Sequence, residues 1–312
     1  MKEEINMIKV LATAESLEQG RELVDLGVDQ LLIGEAVFGL RIPGHFSEEA
    51  MAEMIDYAHQ HNVEVIVAAN AILHNDKIEQ ARPFLRRIKA LGADKLLVGD
   101  TGLIQILKEP DCSMPYIYDA ATLVASAGQV NFWSRYGAVA SFVAREVPYY
   151  ELVEMAKEAV IPLYYQVYGA TCIHHSRRQL LENYFNYIQA EPSRFEDRHL
   201  ALSTPNNPDS HYAIFEDSHG THIFADNDLD LLPYLNDLVE CGVNHWFLDG
   251  ILCPKENYNR IISVYLEAKR RIESNQWNEE AMQALDEQLH QFQPAYRDLD
   301  TGFFLHEPGT VK

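Results

Sequence analysis

EVIVAAN, residues 64–70, is an almost uninterrupted apolar run that ends on a polar side chain. Such a run is typical of a parallel strand that helices cover on both faces. Seven other segments have the same character, namely Ile8–Thr13, Gln30–Gly34, Lys95–Asp100, Tyr116–Asp119, Ala138–Arg145, Leu163–Tyr168 and Asn244–Asp249. The chain therefore predicts eight parallel strands.

Helical patterns fill the intervals between these strands. Ser16 and Gln19 form a capping-box pattern, and Gly27 stands where that helix would end. The alternation predicts an α/β fold of the TIM type, a (β/α)8 barrel. A doubly wound open sheet is the main alternative, although no glycine-rich dinucleotide fingerprint follows the first strand.

One interval, between the seventh and eighth predicted strands, is much longer than the others. It covers residues 174–241 and predicts, in order, a helix start at His174–Tyr187, a polar loop at Glu191–Asp209, a β-hairpin at His211–Phe224 and a helix at Leu229–Cys241. Loops that follow barrel strands carry the chemistry, so function would specialise in this insertion. We expect a barrel domain over residues 1–273, insertion included, and a C-terminal helix and tail over residues 274–312 that pack on it.

The composition narrows the class of protein. The 312 residues carry 25 Lys plus Arg and 47 Asp plus Glu, a net charge of −22. This charge disfavours a dedicated nucleic-acid binder and docking on an anionic membrane. The four cysteines form no C-x-x-C pair, and the N-terminus has no apolar signal segment. We expect a soluble cytoplasmic protein.

Polar side chains stand where the predicted strands end. In a barrel these positions converge on one rim, where acids and an arginine suit a small polar substrate or acid–base chemistry. For each residue alone, helix capping or a rim ion pair is the alternative. The residues are Glu35, Asn70, Asp100, Asp119, Arg145, Glu146 and Asp249.

YGATCIHHSRR, residues 168–178, is the densest stretch of reactive side chains. It is predicted to turn at Gly169 and begin a helix, whose N-terminus would lower the pKa of Cys172. A buried structural cysteine is the alternative. His174 and His175 are adjacent and cannot share a helix face, and no H-E-x-x-H motif is present, so we expect no metal centre.

Several short motifs together resemble peptidase family U32, the collagenase-like peptidases. Their order and spacing along almost the whole chain carry the resemblance, and the segment around Cys172 is similar to the family signature. The other motifs are FGLR at 38–41, NAILHN at 70–75, VGDTG at 98–102, ARE at 144–146 and TGFF at 301–304.

The resemblance implies a barrel with one of two activities. Some members are named as peptidases, and others perform oxygen-independent hydroxylation, for example of the tRNA wobble uridine, with prephenate implicated and a four-cysteine iron–sulfur cluster. Cys172 matches the first cluster cysteine, but Gln179 stands at the second and residues 194–202 contain none. Gln166 replaces the leading Glu of the signature. The resemblance thus implies a short member without its own cluster, working beside a longer cluster-bearing relative.

We therefore expect a subunit of a tRNA wobble-uridine 5-hydroxylation system that reaches tRNA through this partner and recognises a small carboxylate such as prephenate. Arg41 and Arg145 would hold the carboxylate. The remaining substrate-binding candidates are Glu35, Asn70, His74, Asp100 and Asp249, and the catalytic candidates are Arg145, Glu146, Cys172, His174 and His175.

Two other functions stay open. One is a U32-type peptidase, in which His174 or His175 would bind a metal together with rim carboxylates. The other is a non-catalytic scaffold. A homo-oligomer of the isolated chain is also left open.

Overall fold

Eight parallel strands close into a barrel in the computed structural model, which describes residues 7–119, 124–189, 198 and 200–307. Strand β1 pairs with β2 on one side and with β11 on the other, so the sheet has no open edge within the barrel. This closure confirms the TIM-type fold and excludes the open sheet. The barrel strands are β1 Lys9–Thr13, β2 Gln30–Gly34, β3 Glu64–Ala69, β4 Lys95–Val98, β5 Tyr116–Tyr118, β6 Ala138–Phe142, β7 Leu163–Ser176 and β11 His245–Asp249.

Helices surround the barrel, and their ends follow the capping signals. Ser16 accepts a hydrogen bond from the Gln19 N–H at the start of the first helix, which ends at Gly27 in a left-handed conformation. No helix among the described residues is long and apolar enough to cross a bilayer. The helices are α1 Leu17–Leu26, α2 Glu48–Gln60, α3 Asn75–Leu91, α4 Thr101–Ile106, α5 Ala127–Arg135, α6 Tyr149–Glu158, α7 Leu180–Ile188, α8 Leu235–Glu240, α9 Lys255–Glu273 and α10 Glu279–Phe292.

Side chains fill the lower part of the barrel. Leu11, Ile66, Ile117 and Tyr164 belong to one buried cluster inside it. A second, larger cluster packs the outer faces of the strands against the helices. Because the interior is packed, only the mouth at the carboxyl ends of the strands remains for a ligand.

The insertion differs from the prediction at its start. Strand β7 runs on to Ser176, and its second half pairs antiparallel with β10, Gly220–Asp230. The helix predicted from His174 is therefore wrong, and α7 begins only at Leu180. The backbone groups of residues 172–176 are satisfied by the strand beside them, which overrides local helical preference.

The predicted hairpin is present, and it is longer than expected. Strand β9, Asn207–Asp217, turns into β10, and a short strand β8, Ala201–Thr204, lies beside β9. The helix predicted from Leu229 is also corrected, because Leu229 belongs to β10 and α8 begins at Leu235. The predicted polar loop at Glu191–Asp209 lies partly outside the described residues.

The C-terminal segment is tied to the insertion. Arg297 donates from Nε to Asp228 Oδ1 at 2.8 Å, and both side chains are buried. Strand β12, Leu299–Asp300, pairs with β10, so part of the C-terminal tail joins the sheet. The barrel, the hairpin and the tail therefore meet around strands β7 and β10.

Gly169 is the glycine on which this junction depends, and it supplies a stability test. Its φ is +106°, and a Cβ there would overlap the backbone carbonyl of Asp249 in the neighbouring strand. Gly92 has a φ of +84° with open space around it, so Gly92→Ala serves as a matched control. We expect Gly92→Ala to cost ~1–2 kcal/mol of unfolding free energy, from the left-handed backbone alone.

We expect Gly169→Ala to cost a further ~1–3 kcal/mol, because overlap is added to the same backbone strain. Urea denaturation followed by circular dichroism measures both variants. Equal losses for the two variants would contradict the close packing of β7 on β11.

Candidate functional site

The mouth of the barrel contains a polar cavity at the carboxyl ends of the strands. Each of its polar side chains follows or ends a different strand, which is why residues distant in sequence meet there. The polar lining consists of Thr13, Arg41, Asn70, Asp119, Arg145, Gln166 and Asp249. Four of these, Arg41, Asn70, Arg145 and Asp249, are candidates from the sequence, and Asp119 belongs to the predicted rim.

Asn70 holds the loop that carries Arg41. Its Oδ1 accepts the Leu40 N–H at 2.9 Å, and its Nδ2 donates to Asp119 Oδ2 at 2.7 Å. Arg41 has a φ of +52°, an uncommon backbone conformation for a residue other than glycine. The hydrogen bond between Leu40 and Asn70 thus stabilises a strained loop, and the arginine of this loop lines the mouth.

Asp249 lies at the end of β11 and is enclosed. Its Oδ1 accepts the Ile251 N–H at 3.0 Å and the Thr13 hydroxyl at 3.4 Å. Burial raises the pKa of Asp249 to about 6, although nearby guanidinium groups oppose this effect. The carboxyl group can therefore hold or release a proton close to neutral pH.

Two arginines give the mouth its positive charge. Burial lowers the pKa of Arg145, and the charge of Arg41 lowers it further, so the two guanidinium groups repel each other. Arg145 donates from Nη1 to the Cys172 carbonyl at 3.2 Å. Within the described part of the chain it forms no ion pair within 4.0 Å. An enclosed cation with one backbone acceptor retains donors for an anionic ligand.

Gln166 lies on β7 and lines the barrel mouth. Its Nε2 donates to the carbonyls of Gly169 and Ala170 at 3.1 and 3.2 Å. Its Oε1 is buried without a hydrogen-bond partner among the described residues. These hydrogen bonds hold the backbone of β7 at Gly169 and Ala170. A glutamine at this position adds no negative charge to the mouth.

Three sequence candidates lie away from the mouth. Glu35 pairs with Arg87 of α3 at 3.0 Å. Asp100 caps α4 and also accepts the Leu73 N–H at 3.0 Å. His74 is exposed at the start of α3. For Glu35 and Asp100, the rim ion pair and the helix cap that the sequence left open are the roles observed.

A second cavity adjoins the first, on the other side of Arg145. It has a volume of about 300 Å³ and lies between the end of β7 and the C-terminal tail. Glu146 and Cys172 line it, together with mostly apolar side chains. Cys172 lies within a strand, so the expected helix N-terminus is not what surrounds its thiol.

The two adjacent histidines point to different surroundings. His174 is exposed on β7. His175 is half-buried, lies 3.0 Å from the His219 carbonyl through Nε2, and stacks on His222 with ring centroids 4.7 Å apart. In the sequence, the only feature that marks His222 is its spacing of three from His219. Its pairing with Asp217 depends on the hairpin and could not be predicted from the sequence.

The cysteines of this chain do not fit the four-cysteine iron–sulfur cluster that the family resemblance implies for other members. Cys253 is buried, and its pKa is raised to about 12 by burial. Cys241 ends α8 and donates to the Leu238 carbonyl, and Cys112 is buried elsewhere. Cys172 thus has no thiolate group around it with which to form a four-cysteine site.

One group of acids and a cysteine lies close together outside the barrel mouth. Ligand atoms of Glu109, Asp111 and Cys112 lie within 4.8 Å of one another, the single such group of three among the described residues. Its carboxylates bind Arg82 and Arg86 of α3. These ion pairs account for the cluster as a link between α3 and the loop after α4.

Comparisons with known proteins agree with this architecture. The family model for peptidase family U32 matches residues 15–312. The chain is 31% identical over 303 residues to tRNA hydroxylation protein P2 of Bacillus subtilis, covering 96% of this chain and 98% of that protein. It is 23% identical to tRNA hydroxylation protein P1 of the same organism, over 96% of this chain and 72% of that protein. The chain belongs to peptidase family U32.

Proposed function

We propose that this protein is a subunit of a tRNA wobble-uridine 5-hydroxylation system and that it binds a small dicarboxylate at the barrel mouth. The observation that carries the proposal is the pair Arg41 and Arg145, which face one enclosed cavity. Arginine binds carboxylates with two parallel hydrogen bonds, so two arginines match a compound with two carboxylates, such as prephenate.

The relatives support the nucleic-acid part of the proposal. Similarity to a tRNA hydroxylation protein extends over nearly the full length of both chains. The net charge of −22 is poorly suited to phosphate contacts by this chain alone. A longer relative that carries the iron–sulfur cluster would therefore hold the tRNA, and this chain would work as its cytoplasmic partner.

The residues of the mouth have different roles in this proposal. Arg41 and Arg145 bind the carboxylates, and Asn70 fixes the loop of Arg41. Asp249, enclosed at the base of the mouth, holds or releases a proton at its carboxyl group as the ligand enters. The packed interior beneath excludes water from that side.

Deletion of the gene should remove the 5-hydroxyuridine-type modification from tRNA, measured by mass spectrometry of wobble nucleosides. A plasmid copy should restore the modification, and an Arg145→Gln copy should restore less than about a tenth of it, because the loss of one charge-assisted pair costs ~1.5–3 kcal/mol. Arg86→Gln is the matched control, since Arg86 pairs with Asp111 on the outer surface. Unchanged modification after deletion, or full rescue by Arg145→Gln at a wild-type melting temperature, would refute the proposal.

Dicarboxylate binding should weaken as pH rises from 6 to 8. Asp249 has a pKa of about 6, so it is half neutral at the lower pH and charged at the higher, where its carboxylate competes for the arginines. We expect the Kd for prephenate, measured by calorimetry, to rise by up to roughly tenfold, which corresponds to about one pKa unit of coupling. Asp249→Asn should flatten the profile. A Kd that is independent of pH in the wild-type protein would contradict this role.

A further inference from the structure

We propose that Cys172, His222 and Asp217 form a nucleophilic site in which an activated thiol attacks a small electrophile. The three residues stand on β7, β10 and β9. The antiparallel register pairs Phe224 with Cys172 and His222 with His175. Cys172 packs against a cluster that contains Phe215, and the Phe215 ring contacts the His222 imidazole, so the thiol and the imidazole share this side of the sheet. A nucleophile, a base and a carboxylate that orients the base are the three parts that such a site requires.

His222 is held in one orientation. Its side chain is fully buried, and its Nε2 lies 2.9 Å from Asp217 Oδ1. A neutral imidazole that donates from Nε2 to this carboxylate carries its lone pair on Nδ1. Among the described residues, this Nδ1 is buried and has no hydrogen-bond partner, so it is free to accept a proton. His175 stacks on the same ring and restricts its rotation.

The surrounding charges favour transfer of the thiol proton to His222. Burial raises the pKa of Cys172, but the hydrogen bond with His222 and the charges of Arg41 and Arg145 outweigh burial and lower it. Burial lowers the pKa of His222, but Asp217 and Cys172 outweigh that effect and raise it. When protonated, the thiol donates to the His174 carbonyl at 3.3 Å.

The charged and titratable groups that act most on this pair come from strands and loops of the same junction. Around the thiol these are His222, Arg41 and Arg145. Around His222 they are Asp217, Cys172, Arg41, His175 and His219. Asp217 is the carboxylate that hydrogen-bonds to His222, so it controls how well His222 accepts the proton.

The cavity beside Cys172 indicates the class of ligand. Its volume of about 300 Å³ suits a small molecule and is too small for a folded polypeptide segment. Ile173, Leu229, Phe303 and Phe304 give it apolar walls. Glu146 and Asp300 also line it, but the fixed charges that act most on the Cys172 thiol are those of Arg41 and Arg145. The ligand would therefore be an electrophilic carbon compound with an apolar body and one anionic group.

The chemical step is a displacement that needs no oxidant or reductant. The thiol proton passes to His222 Nδ1, and the sulfur electron pair forms a carbon–sulfur bond. The bond from that carbon to its leaving group breaks, and the leaving group departs with the electron pair and takes the proton from His222. This site shares Arg145 with the carboxylate site of the proposed function, but Cys172, His222 and Asp217 do not line the barrel mouth, so activation of the thiol and binding of prephenate can fail independently.

Alkylation with iodoacetamide tests the proposal on the full chain. Labelling is followed by peptide mass spectrometry between pH 5.5 and 9.5, and Cys241, which is partly exposed and has a raised pKa, is the internal control. We expect the Cys172 rate to reach half its maximum below the ordinary thiol value of ~8.5. At pH 7, Cys172 should react at least tenfold faster than Cys241. A midpoint at or above the ordinary value would overturn the proposal.

Variants distinguish activation of the Cys172 thiol by His222 from simple exposure of that thiol to the reagent. Asp217→Asn and His222→Gln should each raise the midpoint and slow labelling of Cys172 at pH 7 about tenfold. His290→Gln is the matched control, because His290 is an exposed histidine near Asp286 on α10. An unchanged midpoint in a folded His222→Gln protein would refute the role of the base. If that variant does not fold, the Asp217→Asn profile decides.

The anionic character of the ligand has its own test. Iodoacetate carries a carboxylate and iodoacetamide does not, while both lose iodide to the same thiol. We expect the ratio of iodoacetate to iodoacetamide rates to be higher at Cys172 than at Cys241, because Arg145 lies beside the cavity. Equal ratios at the two cysteines would refute the anionic ligand class.

Discussion

Strand β7 takes part in two kinds of pairing, and both sites depend on it. Its first half pairs in parallel with β6 and β11 inside the barrel, and its second half pairs antiparallel with β10 outside it. The change occurs at Gly169, where the left-handed backbone lies against the carbonyl of Asp249. The same strand therefore forms part of the barrel mouth and places Cys172 beside the hairpin.

The mouth concentrates positive charge in a strongly acidic protein. Many arginines and lysines of the described chain form ion pairs, such as Arg82 with Glu109, whereas Arg145 is enclosed beside Arg41. Enclosing a cation without an oppositely charged partner costs free energy, and binding sites commonly bear such a cost. Asp249 and Asp119 lie near enough to moderate this charge without neutralising it.

The signature cysteine acquires a different environment from the one expected in cluster-bearing relatives. With no other thiol near it, Cys172 lies between an imidazole and two guanidinium groups. Such surroundings stabilise a thiolate through charge and hydrogen bonding. The long hairpin, which the family motifs did not distinguish, supplies the imidazole and its carboxylate.

The sequence by itself determined eight parallel strands that alternate with helices and favoured the barrel, because continuous apolar runs such as residues 64–70 are typical of strands covered by helices. The pairing of β1 with β11 decided between the barrel and the open sheet. It also determined that Asn70, Arg145 and Asp249 share a rim, since parallel strands end on the same side. Only the tertiary structure decided that residues 174–176 are strand and not helix, because the partner strand β10 lies about 50 residues away. For the same reason it alone brought His222 and Asp217 to Cys172: local pattern encodes periodicity, whereas contacts across a sheet depend on register.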